Sequence, residues 1–235
     1  MNARGSLRID IDKMKNPCLL LFTVFILVGT DAFSQSAGKP VTVLCFGDSI
    51  TAGSALKKGG SEAPWPALVE RLSNGKFHTL NAGRGGRPTA SVEEFRQTLT
   101  KIREKPEVLL VALGTNDSRS LSATCISDAA GNIQQMVVMA REAYPQIRIL
   151  IVSPTNMRKD ALLKHAEEAD RREKNLQDLT AAYEKLAREI HGDFVSVYGV
   201  VPAASLAMDG IHPDAAGNAV MAKVILDALT KQVSH

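Results

Sequence analysis

The stretch "VLCFGDSITAG", Val43 to Gly53, decides how the chain is read. Val43 to Phe46 form a continuous apolar run, the pattern of a strand buried on both faces. The run breaks at Gly47 and presents Asp48 and Ser49 in succession. Two explanations compete. Asp and Ser bond their own backbone and favour turns. Alternatively, Ser49 is a nucleophile held at the mouth of a parallel sheet. That reading requires a base, an orienting acid and oxyanion donors elsewhere in the chain.

Working outward, short apolar runs alternate with longer segments of helical period. "VTVLCF" (41–46), "FHTLNA" (77–82), "VLLVAL" (108–113), "IRILIVS" (147–153) and "FVSVY" (194–198) read as strands. Helices are expected over 64–73, about 89–104, a third segment carrying Ile126, Ile133, Val137 and Ala140, a long charged segment from Ala161 to His191, and about 213–231. This alternation implies an α/β fold, a mostly parallel five-stranded sheet with helices on both faces. The charged run "KHAEEADRREKNLQD" reads first as a solvated helix face, anchored by Leu176, Leu179, Tyr183 and Leu186.

Residues 18–28, "CLLLFTVFILV", are apolar apart from Thr23. Such a run is short of the about 20 residues that span a bilayer and suits the core of a signal peptide. Lys13 and Lys15 precede it, and Ala32 and Ser34 are the small residues before a cut at Gln35. A signal peptide over 1–34 is expected, with Met14 as an alternative start because Asp10 and Asp12 are out of place in a basic leader. A short tail over 35–39 and one domain over 40–235 follow. Export to periplasm, cell surface or medium is the consequence, with no stable membrane insertion after cleavage.

Charge is nearly balanced, with 28 Lys and Arg against 25 Asp and Glu. No basic helix stands out, which excludes a nucleic-acid footprint. Cys45 sits inside an apolar strand and reads as a small buried hydrophobe, although a bridge to Cys125 stays open. Neither has metal-site spacing.

In an open parallel sheet, ligands sit beyond the carboxyl ends of the strands. There stand Gly47-Asp48-Ser49, "NAGRGGRPT" (81–89) and "GTNDSR" (114–119), with "MDGIHPDAAGN" (208–218) before the last helix. Among five histidines His212 is the best base: Asp209 lies three residues before it on one tight turn, and Pro213 suits the start of the next helix. The glycines of "GRGG" let a backbone N–H approach a ligand, and Asn116 offers a side-chain amide. The pattern G-x-S-x-G is absent, because Thr51 stands at the last glycine's place, which argues against an ordinary α/β-hydrolase.

"GDSI", "NAGRGGRPT", "GTND" and "DGIHP", in this order, resemble the four blocks of the SGNH (GDSL-type) esterase and lipase superfamily, over about Val41 to Leu229. The resemblance implies a three-layer, flavodoxin-like fold and an SGNH hydrolase domain over 40–235. It implies Ser49 as nucleophile, His212 as base and Asp209 as its orienting acid. Oxyanion donors would be the Ser49 N–H, the Gly86 N–H and the Asn116 amide, with Gly83 and Gly85 as neighbouring choices. Asp48, Arg87 and Asp117 are the expected substrate contacts. The basic "RPT" stands where many relatives carry an acidic residue. The family needs no metal or organic cofactor.

"GRGGRPT" looks closer to secreted deacetylases acting on sugars, whereas "PWPALVERL" resembles the thioesterase and lysophospholipase branch. The expected protein is therefore a monomeric, exported serine esterase acting on short acyl, above all acetyl, esters of a carbohydrate or other small molecule. A lipolytic enzyme is the alternative, and a non-catalytic glycan-binding protein a further one. Lys57, Lys58, Arg84, Arg87, Arg119, Arg158 and Lys159 fall in loops at the same edge, and an anionic substrate would suit them.

Overall fold

The computed structural model describes residues 38–57 and 61–234. The expected leader over 1–34, the Met14 start, Lys58 and His235 lie outside them. Five parallel strands form one sheet: β1 (Val41–Gly47), β2 (Phe77–Gly83), β3 (Val108–Ala112), β4 (Arg148–Val152) and β5 (Asp193–Val195). Their order is β2-β1-β3-β4-β5. The helices are α1 (Ser49–Ala52), α2 (Trp65–Leu72), α3 (Val92–Lys101), α4 (Cys125–Ala143), α5 (Ala166–Glu189) and α6 (Ala215–Val233).

Successive side chains of a strand point to opposite faces, and β1 shows what this does. Leu44 and Phe46 enter a core shared with α3, α4 and α5. Val43 and Cys45 enter a second core shared with α2 and α6. The sheet is thus covered on both sides, which explains the unbroken apolar runs. Cys45 is fully buried and its thiol is pushed up by that burial, while Cys125 is separate and free, so no bridge joins them.

The third expected helical segment is α4, and the charged segment divides into a 3-10 stretch, Lys159–His165, and α5. α5 buries Leu176, Leu179, Tyr183 and Leu186 as its sequence pattern demands. β5 is shorter than expected. Ser153 Oγ accepts from the Val197 and Tyr198 N–H groups at 2.9 and 3.1 Å, and the chain leaves the ladder to make these bonds. No helix among the described residues is long and apolar enough to cross a membrane.

Candidate active site

β1 pairs with β2 on one side and β3 on the other, so the strand order reverses at β1 and opens a crevice beyond the strand ends. Gly47 ends β1 there. A Cβ on it would collide with the Thr51 hydroxyl and stand 2.8 Å from the Ala112 carbonyl of β3. Only glycine lets the chain turn this tightly between neighbouring strands. Asp48 then caps α1, its Oδ1 accepting from the Ile50 N–H at 2.9 Å. Ser49 occupies the first position of α1, where its own N–H has no intrahelical partner.

The Ser49 hydroxyl meets Nε2 of His212 at 2.8 Å. His212 Nδ1 is 2.6 Å from Asp209 Oδ2, while Asp209 Oδ1 accepts from the Ile211 and His212 N–H groups at 2.9 and 3.1 Å. Burial pushes the Asp209 carboxyl up, but these backbone bonds and the imidazole outweigh it and hold the group below its ordinary value. The turn is clamped from outside. The Ala207 N–H donates to the His212 carbonyl at 2.8 Å, and the Arg158 N–H to the Gly210 carbonyl at 2.7 Å. Asn218 ties the starts of α2 and α6 together, accepting from the Trp65 N–H and donating to the Pro213 carbonyl, both at 3.0 Å. His78 instead lies between Glu70 and Glu104, and His191 is exposed at the end of α5.

In the loop after β2, the Gly83 N–H is committed to Asn81 Oδ1 at 2.9 Å, and Asn81 Nδ2 donates to the Thr51 carbonyl at 2.9 Å. Gly85 and Gly86 have N–H groups with no partner among the described residues. Gly86 adopts φ +70°, a left-handed conformation that favours glycine. Asn116, after β3, donates its amide to the Arg87 carbonyl at 3.2 Å, which lays it against this same loop.

The three expected substrate contacts behave differently from expectation. Asp48 is buried as the α1 cap, and desolvation raises its carboxyl to about 6. Asp117 accepts from the Thr89 N–H and hydroxyl and so joins the loops after β2 and β3. Burial raises its carboxyl despite those bonds. Arg87 is only 4% exposed and turns inward, donating to the Gly47 carbonyl at 2.6 Å and to Glu94 at 2.5 Å. Each is engaged by the protein itself: Asp48 caps α1, Asp117 holds Thr89, and Arg87 binds carbonyls at the ends of β1 and β2, where backbone groups need partners.

Four cations of this edge are paired with acids. Arg84 and Arg87 share Glu94, Arg158 faces Asp160, and Lys159 pairs with Asp170 and Glu173. Glu94, on the first turn of α3, was not singled out in the sequence. The signal was an acidic pair, Glu93-Glu94, one short loop after two arginines. Among the described residues no group of three or more His, Cys, Asp or Glu is arranged to hold a metal ion.

The family model for the GDSL-like lipase/acylhydrolase family matches residues 45–220, which spans every loop described above. The chain belongs to that family. This GDSL-like acylhydrolase shares its fold with solved structures of low identity. One is a carbohydrate acetylesterase family member from Sinorhizobium meliloti, with TM-score 0.69 and 22% identity over 83% of this chain and 99% of the other. Another carbohydrate acetylesterase from that organism gives 0.63 and 19%, over 81% and 99%. The aryl esterase of M. smegmatis gives 0.63 and 20%, over 81% and 98%. No curated protein sequence matches the chain. The family establishes an acylhydrolase; the neighbours establish the three-layer fold.

Proposed function

We propose that this acylhydrolase is a serine esterase that removes short acyl groups, acetyl foremost, from a carbohydrate ester. The observation that carries the reading is the bonded series Ser49–His212–Asp209, with 2.8 and 2.6 Å links. His212 Nε2 takes the Ser49 proton as the hydroxyl oxygen attacks the acyl carbonyl. Asp209 holds the proton on Nδ1 and stabilises the imidazolium. The Ser49 N–H, the Gly86 N–H and the Asn116 amide receive the developing oxyanion. His212 then returns the proton to the leaving alcohol, and water enters by the same steps in reverse.

Two features support a short acyl group on a polar alcohol. Two fold neighbours carry carbohydrate acetylesterase names, and the loop "GRGGRPT" resembles sugar deacetylases. A lipolytic reading draws on a different observation: Met208 and Leu121, in loops that flank Asp209 and Arg119, are 95% and 80% exposed. Export, as a leader over 1–34 would direct, fits an extracellular glycan.

Hydrolysis of p-nitrophenyl acetate, butyrate and octanoate, and of an acetylated oligosaccharide, by the wild type and Ser49→Ala tests the reading. Acetate-selective turnover that disappears in the variant is expected. A preference for octanoate moves the protein to lipid esters, and equal rates for both proteins remove the serine mechanism.

A further inference from the structure

Arg87 is a charged side chain placed where charge is costly. Taking a guanidinium out of water is tolerated only when its donors are answered. Here Nη1 and Nη2 are answered, while the buried Nε has no partner among the described residues. Nη1 donates to the Gly47 carbonyl at 2.6 Å and also to the Ala82 carbonyl, so it bridges the last turns of β1 and β2. Nη2 donates to Glu94 of α3 at 2.5 Å. The guanidinium carbon stands 4.1 Å from the centre of the Phe46 ring, a cation–π arrangement that holds its plane.

The main chain of the same residue adds two links. Its N–H closes a turn onto the Arg84 carbonyl at 3.3 Å, and its carbonyl accepts from Asn116 Nδ2 at 3.2 Å. The Arg84 N–H also donates to the Gly47 carbonyl, at 3.1 Å. The links to Gly47 and Asn116 end beside oxyanion donors. The Gly47 carbonyl belongs to the peptide that enters Asp48, the cap of the helix that begins at Ser49. Gly86 immediately precedes Arg87. The Asn116 amide is held directly.

We infer that Arg87 is a positioning residue: it ties the loops after β1, β2 and β3 into one body and so sets the relative placement of the Ser49 N–H, the Gly86 N–H and the Asn116 amide. This rests on the serine esterase reading for its catalytic consequence, not for the tie itself. The geometry also explains why arginine is needed. A lysine is a point donor without a flat face, so it can reach a carbonyl or Glu94 but cannot stack on Phe46 while bridging all three.

Arg87→Lys and Arg87→Met would be compared with wild type, with kinetics corrected for the fraction of sites labelled by a fluorophosphonate. The expected result is a kcat lower by about 10- to 100-fold with KM nearly unchanged, since small misplacement of preorganised groups costs this much. Affinity for a boronic acid that mimics the tetrahedral intermediate should fall by the same factor. Unchanged kcat per labelled site, or a change in KM alone, overturns the inference.

Amide hydrogen exchange provides the arm that does not depend on activity. Segments 45–50 and 84–90 should exchange about tenfold faster in Arg87→Lys, with α4 unaffected. Unchanged exchange in both segments overturns the tie even if the wild type is an active esterase. If the wild type neither turns over esters nor labels at Ser49 while exchange responds as expected, the esterase reading fails and the tie stands. Arg87→Lys keeps the charge, so the comparison survives if Arg87→Met does not fold.

Discussion

The hydroxyl of Ser49 lies 2.8 Å from Nε2 of His212, although 163 positions separate them in the chain. The contact is made by two turns that are each locked independently: one by the Gly47 corner and the Asp48 cap, the other by Asp209 and the clamp from Ala207. The backbone of each turn is thus held without the other. Removing one side chain should therefore leave the other turn in place, which makes kinetic tests of each interpretable.

Ser49→Ala should reduce ester turnover by at least about 10⁴-fold, and Asp209→Asn by about 10²- to 10⁴-fold with KM little changed. Steady-state kinetics on p-nitrophenyl acetate measures both. If Asp209→Asn is as active as wild type, Asp209 is not the orienting acid.

Asn116→Ala should lower kcat by about 10²- to 10³-fold, because one of three oxyanion donors is lost. In the resting site this amide is engaged by the Arg87 carbonyl, a 3.2 Å bond that substrate can displace. Retained kcat with a raised KM would assign Asn116 to ground-state binding instead.

Gly47→Ala should destabilise the fold by about 2–3 kcal/mol, as overpacking does. Replacing Thr51 by alanine in the same chain should recover only part of that loss, because the Ala112 carbonyl would still lie 2.8 Å from the new Cβ. Urea denaturation of the single and double variants gives the numbers, and full recovery would contradict the backbone clash.

Asp48 is buried and its carboxyl is raised to about 6, chiefly by desolvation. The folded chain therefore holds this proton more tightly than the unfolded chain does. Stability contributed by it is full below the unfolded value near 3.8 and is lost as pH rises through about 6. Asp48→Asn keeps an acceptor for the Ile50 N–H but has no proton to lose. Wild type should lose up to about 3 kcal/mol relative to the variant between about pH 4 and about pH 7. Parallel stability curves would show that Asp48 titrates normally.

Glu94 has the opposite sign. Hydrogen bonds from Arg87, then Arg84, hold its carboxyl down at about 2. Its contribution is present above the unfolded carboxylate range and is lost as pH falls toward about 2. Glu94 is partly solvated, so the expected gain over Glu94→Gln at neutral pH is about 1 kcal/mol, shrinking below about pH 4. Thermal unfolding at a series of acidic pH values measures this, and a constant difference would refute it.

Much of the architecture was written locally. The apolar runs at 41–46, 77–82 and 108–113, and the helical spacing of Ile133, Val137 and Ala140, depend on residues a few positions apart. The polar clusters fell at one edge because parallel strands all end on the same side, which placed Ser49, Gly86, Asn116 and His212 together as candidates. His212 could be preferred over His78 and His191 from its neighbours Asp209 and Pro213 alone.

The direction of each polar side chain was decided only by tertiary packing. Arg87 sits in a glycine-rich loop and reads as a cation offered to a ligand, yet its guanidinium is drawn inward by Phe46, Glu94 and two strand-end carbonyls from three other elements. Gly83 is a neighbouring choice to Gly86 in "NAGRGG", and only the bond that its N–H donates to Asn81 withdraws it as an oxyanion donor. Ser153 shortens β5 by capturing amides 44 and 45 residues away. The period of apolar residues is a local property and chooses strand or helix, whereas a charge or an N–H finds its partner across the fold, where chain order no longer determines distance.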